Sequence, residues 1–186
     1  MATTQDLSTG KVIRFNNDLC QIIELQFRNP GNKHAFFQAK MRNLKTGRLV
    51  EYKFRSGEKV DFVRIEIKQM QYLYSSADEI FCMDPESFEQ ISLPVSIIGD
   101  KTGFLKEGIV LNISFESEIP VAVELPPFVD LEVVYTEPGL RGDTSTRALK
   151  PAKLETGAMV NVPLFISQGE RVRIDTRTSE YSERAK

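Results

Sequence analysis

Cys20-Gln-Ile-Ile-Glu-Leu-Gln-Phe27, then Arg28-Asn29-Pro30-Gly31-Asn32-Lys33-His34, then Ala35-Phe-Phe-Gln-Ala-Lys-Met41, sets two apolar stretches rich in β-branched and aromatic residues on either side of a polar turn. Gly and Asn accept positive φ and Pro fixes the entry, so the segment reads as a β-hairpin with an exposed tip. Its turn side chains point into solvent or into a partner; any hairpin also needs polar turn residues.

The same texture continues outward. Lys11–Phe15, Leu49–Phe54, Phe62–Ile67, Gln69–Tyr74 and Ile80–Met83 are short, β-rich and separated by Gly, Asn, Asp or Ser, and further strands are legible at Ile109–Phe115, Val121–Leu125, Asp130–Tyr135, Met159–Phe165 and Arg171–Thr176. Helical periodicity is nearly absent. The exception is Asp84-Pro-Glu-Ser-Phe-Glu-Gln90, where a capping Asp, a Pro suited to the first helical position and acids in the first turn predict one short helix. The chain is therefore expected to be all-β, with strands spaced as in small barrels rather than in βαβ units.

Charge divides the chain. Residues 1–64 carry 12 Lys and Arg against 6 Asp and Glu, residues 65–128 carry 3 against 11, and residues 129–186 carry nine of each. A basic module followed by an acidic one points to polyanion contact by only part of the molecule, because cations gain affinity by displacing counterions from phosphates. Surface charge kept for solubility is the competing explanation. An internal repeat aligns Leu105-Lys-Glu-Gly108-Ile-Val-Leu-Asn112-Ile113 with Leu154-Glu-Thr-Gly157-Ala-Met-Val-Asn161-Val162, and Leu7-Ser-Thr-Gly10 repeats its opening. With Pro126-Pro127 stiffening one connection, the expected modules are 1–64, 65–128 and 129–186: a basic β module and two five-stranded barrels of the OB type.

Catalysis has little to work with. The one histidine, His34, sits in the hairpin turn, and neither a nucleophile setting, a phosphate-loop glycine pattern nor a metal-ligand motif is present. No catalytic residue, metal or cofactor is expected. Cys20 and Cys82 lie in apolar strands and read as reduced core thiols. The polar opening Met1–Gly10 is unlike a signal peptide and no apolar run approaches a membrane span, so a cytoplasmic protein without membrane contact is expected. A long polar loop, Thr136 to Pro151, offers glycines, hydroxyls and basic residues, among them Arg141, Gly142, Asp143, Thr144 and Ser145. Such groups bind RNA phosphate and sugar, or the loop merely joins two strands.

Tyr135-Thr-Glu-Pro-Gly139-Leu-Arg-Gly142-Asp143-Thr144, followed by Lys150-Pro-Ala-Lys-Leu-Glu-Thr-Gly157 and Ile174-Asp-Thr-Arg177, resembles the signature of the bacterial elongation factor P family. The likeness extends through Asp6-Leu-Ser-Thr-Gly10, the Pro30-Gly31 tip, Lys40-Met-Arg-Asn43-Leu-Lys-Thr-Gly47 and Met83-Asp-Pro-Glu-Ser-Phe88 to essentially the whole chain. The resemblance implies a non-enzymatic translation factor with a KOW-like or SH3-like barrel followed by two OB barrels, in an L-shaped, tRNA-like arrangement. It implies a monomer that binds the 70S ribosome between the P and E sites, touches ribosomal RNA and the P-site peptidyl-tRNA, and relieves stalling at consecutive prolines. It also implies that Pro30, Gly31, Asn32, Lys33 and His34 face the tRNA acceptor end. Arg141, Gly142, Asp143, Thr144 and Ser145 would face the small subunit, near mRNA at the E-site codon.

One departure stands at the tip. Relatives that carry a modified lysine read Pro-Gly-Lys-Gly, whereas a gapless match puts Asn32 at that position and Lys33 one residue later. Either the loop works unmodified or Lys33 takes over; asparagine has no amine to extend, and the first reading is preferred. A general RNA- or single-strand-binding OB protein and a divergent elongation factor P-like paralogue are the alternatives, the former disfavoured by the acidic middle and the lack of Trp.

Overall fold

The computed structural model describes residues 2–31, 34–138 and 148–185. Among them the chain forms β1 (Val12–Phe15), β2 (Asp18–Arg28), β3 (Phe36–Asn43), β4 (Leu49–Arg55), β5 (Phe62–Val63), β6 (Ile65–Ser75), β7 (Glu79–Met83), β8 (Gln90–Pro94), β9 (Val110–Glu116), β10 (Ile119–Glu124), β11 (Phe128–Thr136), β12 (Leu149–Leu154), β13 (Met159–Pro163), β14 (Arg171–Asp175) and β15 (Glu180–Arg184). Among the described residues helix is confined to short 3-10 turns at Thr4–Asp6, Val95–Ile97 and Gly99–Phe104. The protein is all-β, as its residue texture demands, and no described helix is long and apolar enough to cross a membrane.

The strands form three five-stranded sheets, in the orders β4-β3-β2-β1-β5, β10-β9-β6-β7-β8 and β13-β12-β11-β14-β15. The second and third share the OB theme of a long first strand paired on both sides, with a short strand closing each edge. In the third, the end strands β13 and β15 approach each other, closing the sheet toward a barrel. The first sheet has a similar spatial layout with the chain entering at a different strand.

A shared clamp marks the likeness. One long strand of each sheet is bulged after Ile22, Tyr72 or Val133. The carbonyl of that residue accepts from a glycine N–H, Gly10, Gly108 or Gly169, at 2.8–2.9 Å, and its own N–H donates to the next residue's carbonyl, Lys11, Ile109 or Glu170, at 2.8–2.9 Å. These glycines have φ of 92°, 86° and 85°, where other L-residues are strained. The structure thus corrects the repeat at offset 49. Gly108 matches Gly10 and Gly169, while Gly157 turns the β12–β13 hairpin and its N–H donates to the Leu154 carbonyl.

Compactness separates Met1–Lys68 with Ile113–Ala122 from Gln69–Asn112 with Val123–Lys186. In the first unit Leu7, Ile13, Cys20, Ile22, Ala39, Met41 and Phe54 are buried together, with Phe15, Leu25, Phe37, Val50, Val60 and Phe62 packed around them. Thr4 closes this core at one end: its buried hydroxyl donates to the Arg55 carbonyl at 3.0 Å and accepts from Gly57 N–H at 2.9 Å.

The helix expected at 84–90 does not form. Asp84 does cap, its Oδ1 accepting from Glu86 and Ser87 N–H at 2.8 and 3.1 Å, but Phe88 turns to φ 60° and strand β8 starts at Gln90, leaving a single turn. The divide between the two strands expected at 62–67 and 69–74 falls at Arg64, because β6 runs unbroken from Ile65 to Ser75.

Both cysteines are buried free thiols. Burial raises the Cys82 thiol to about 11 from an ordinary 9.0. At pH 8 Cys82 is then almost wholly unionised, and iodoacetamide is expected to label it only after unfolding, as peptide mass spectrometry with and without denaturant would read. As pH climbs from about 9 to about 11, the unfolded thiol ionises before the native one, so this group subtracts stability over that window.

Candidate nucleic-acid interface

The hairpin β2–β3 is built by alternation. Ile22 is buried in the core, and beyond the bulge Leu25 and Phe27 share one face with Ala39 and Phe37, while Glu24, Gln26 and Arg28 share the other with Lys40, Gln38 and Phe36. Strand β4 extends each rung: Phe36 lies opposite Arg55, Gln38 opposite Lys53 and Lys40 opposite Glu51. On the outer face the rung nearest the tip is therefore Arg28–Phe36–Arg55, the next Gln26–Gln38–Lys53, and the third Glu24–Lys40–Glu51.

Side-chain contacts bind these rungs together. Arg28 donates to Gln26 Oε1 at 2.9 Å, Gln26 donates to Glu24 Oε1 at 2.8 Å, and Lys53 Nζ stands 5.7 Å from the centroid of the Phe36 ring. On the other face Phe27 packs beside Phe37, ring centroids 4.9 Å apart, yet stays 56% exposed. Ser56 N–H donates to the Ala35 carbonyl at 3.1 Å, tying the base of the turn to the end of β4.

The turn itself presents Pro30, Gly31 and His34, all exposed, with Gly31 N–H donating to the Asn29 carbonyl at 3.1 Å. A Cβ built on Gly31 would meet no atom within 4 Å. Asn32 and Lys33 lie outside the described residues, as do Arg141, Gly142, Asp143, Thr144 and Ser145. The structure therefore brings Pro30, Gly31 and His34 to the end of one hairpin. It adds Arg28, Phe36, Lys53 and Arg55, which the sequence reading missed because their alignment depends on the β3–β4 register.

Cations are deployed unevenly. Lys106, Arg173, Arg177 and Arg184 each pair with a carboxylate, and the fork of Arg173 on Asp130, at 2.7 and 2.9 Å, holds that carboxyl below its usual range. Among the described residues, Arg28, Lys53 and Arg55 have no ion-pair partner. Unpaired surface cations hold exchangeable counterions, which is the state from which phosphate binding gains.

Profiles described as the elongation factor P KOW-like domain, OB domain and C-terminal domain match residues 3–60, 65–123 and 129–184. Elongation factor P of Coprothermobacter proteolyticus is 47% identical over 184 residues, covering 99% of each chain. The chain belongs to the elongation factor P family. Another member, elongation factor P of Desulfitobacterium hafniense, is 47% identical over 185 residues and covers both chains fully. The chain is also similar in fold to a solved translation initiation factor eIF-5A family protein from Naegleria fowleri, with a TM-score of 0.52 at 13% identity, over 67% of this chain and 96% of that one. As an elongation factor P family member it is a translation factor carrying KOW-like and OB modules.

Proposed function

We propose that this chain binds the ribosome between the P and E sites and positions the peptidyl-tRNA so that consecutive prolines are joined faster. The observation that carries the reading is the hairpin of an elongation factor P family member ending in a solvent-facing Pro30-Gly31 turn, backed by a rung with two unpaired arginines. The three modules divide near residues 65 and 128 in this reading, and the tip of the first approaches the acceptor end of the P-site tRNA. The loop at 141–145 faces the small subunit near the E-site codon.

Proline explains the need. Its ring fixes φ, removes the amide hydrogen and restricts the preceding residue, so consecutive prolines hold the reacting ends badly. Orientation is worth up to about 7–11 kcal/mol in favourable systems, and the ribosome already supplies most of it. A factor that steadies the tRNA supplies part of the remainder with no cofactor or chemistry of its own. The ribosome remains the catalyst.

The test is synthesis of a three-proline peptide in a reconstituted system lacking the factor, with the unmodified recombinant chain or its Lys33→Ala variant added. Relief of stalling by the wild type is the expected result, and no relief would overturn the reading of an unmodified, working tip. Intact mass of the natively expressed chain is expected to match the sequence; an adduct on Lys33 would transfer the modified role to that residue.

A further inference from the structure

The hairpin β3–β4 turns at the end of the first sheet remote from the tip, and its construction is unusually complete. Asn43 is only 6% exposed, and its Oδ1 accepts from Lys45 and Thr46 N–H, both at 2.9 Å, while its Nδ2 donates to Asp18 at 2.9 Å. Backbone bonds finish the turn: Asn43 N–H to the Arg48 carbonyl, Gly47 N–H to the Asn43 carbonyl and Leu44 N–H to the Leu19 carbonyl, each at 2.9 Å. A buried Asn with its amide oxygen and nitrogen both engaged holds a loop backbone in one conformation.

On this fixed turn stand Arg42, Lys45 and Arg48, all exposed. None is ion-paired with a described carboxylate, and Asp18, bonded to Asn43, is bound to the turn's own scaffold. Strand β3 has eight residues, so at a rise of about 3.4 Å the turn lies roughly 24 Å from the tip end. Between the two basic ends lies the rung that sets Glu24 and Glu51 around Lys40. A single polyanion stretch laid along the face would meet those carboxylates, so the charge layout favours two separate contacts.

We infer that Arg42, Lys45 and Arg48 form a second RNA-backbone contact, gripping phosphates other than those approached by the tip. The inference rests on the proposed ribosome-binding reading and adds a surface to it. The chemistry is recognition of phosphate by rigidly mounted cations, which confers affinity and register without sequence readout. The phosphates belong to tRNA or to ribosomal RNA, and the test separates them.

Binding of the full chain to free initiator tRNA and to vacant 70S ribosomes would be measured from 50 to 200 mM salt. Three variants are compared: wild type, Arg42→Gln/Lys45→Gln/Arg48→Gln, and the charge-keeping Arg42→Lys/Lys45→Arg/Arg48→Lys. Three lost phosphate contacts lower the log–log salt slope by about 2–3, so wild-type affinity is expected to fall about 20- to 40-fold more than that of the neutral triple over this range. The charge-keeping triple is expected to retain the wild-type slope. A difference on tRNA assigns the phosphates to tRNA, and one confined to ribosomes assigns them to ribosomal RNA. Equal slopes for wild type and neutral triple on both, with stalling still relieved by the wild type, overturn this contact and leave the function standing. A wild type that neither binds nor relieves stalling overturns both.

Discussion

Ile13→Ala is expected to destabilise the first unit by about 2–5 kcal/mol, the usual range for truncating a fully buried aliphatic side chain and leaving its cavity. Ile13 has no exposed surface and sits on β1 between Cys20 of β2 and Phe62 of β5 in the strand register. A folded unit of roughly 80 residues is held by only about 4–12 kcal/mol, so the loss is a large share of the whole. Ile119→Ala, at a position 66% exposed, is the matching control and should change stability by less than about 0.5 kcal/mol. Urea unfolding of the two variants checks the contrast. Because the tip hairpin is made of β2 and β3, and Ile22, Ala39 and Met41 of those strands share this core, the stalling relief proposed above should fail at a lower temperature in Ile13→Ala than in the wild type. Equal urea midpoints for the two variants would show that this core does not hold the unit together.

Gly103→Val is the second large effect, and it lies in the other unit. A Cβ built on Gly103 would come 3.0 Å from the Cβ of Ala158, and the Thr156 hydroxyl already donates to the Gly103 carbonyl at 2.5 Å, so neither side has room to yield freely. Beside them Lys106 pairs with Glu155 at 2.8 Å, and Glu155 Oε1 also accepts from Glu132 N–H at 2.9 Å. Overfilling a contact of this kind costs about 1–3 kcal/mol. Ala158→Gly removes the opposing methyl, so the double variant Gly103→Val/Ala158→Gly should recover much of the loss. A double-mutant cycle by thermal unfolding reads the coupling directly. Strict additivity would mean that the two residues do not meet.

The fold class is legible because its signal is local: β-branched and aromatic runs punctuated by Gly, Asn and Pro announce strands wherever they occur. Strand β12 escapes because Leu149-Lys-Pro-Ala-Lys-Leu154 contains a proline that argues against a central strand. Pro151 lies just past Ala152, the last residue in register with β11, and its carbonyl accepts from the Thr136 hydroxyl at 3.0 Å. Strand β15, Glu180–Arg184, is charged along most of its length and carries no apolar alternation. Asp84-Pro85 reads as a helix start because the capping chemistry of a helix and of an isolated turn is the same; the positive φ of Phe88 decides between them. At the candidate interface the exposed turn is visible in the residues themselves. The rung of Arg28, Phe36 and Arg55 is not, since it depends on a register spanning 28 positions of sequence.

The glycine clamp joins residues 12 apart in the first sheet, Gly10 to Ile22, but 36 apart in each of the others, Gly108 to Tyr72 and Gly169 to Val133. Threefold longer loops cost about 1 kcal/mol more to close, and contacts near in sequence form sooner. During synthesis the Gly10–Ile22 clamp can therefore close over a short loop, whereas the clamps of the later sheets wait for a segment 36 residues further on; the first sheet is complete only when β5 has returned to β1, where Phe62 lies opposite Ile13. Pulse-labelled hydrogen exchange during refolding should show the Ile22 amide protected before those of Tyr72 and Val133.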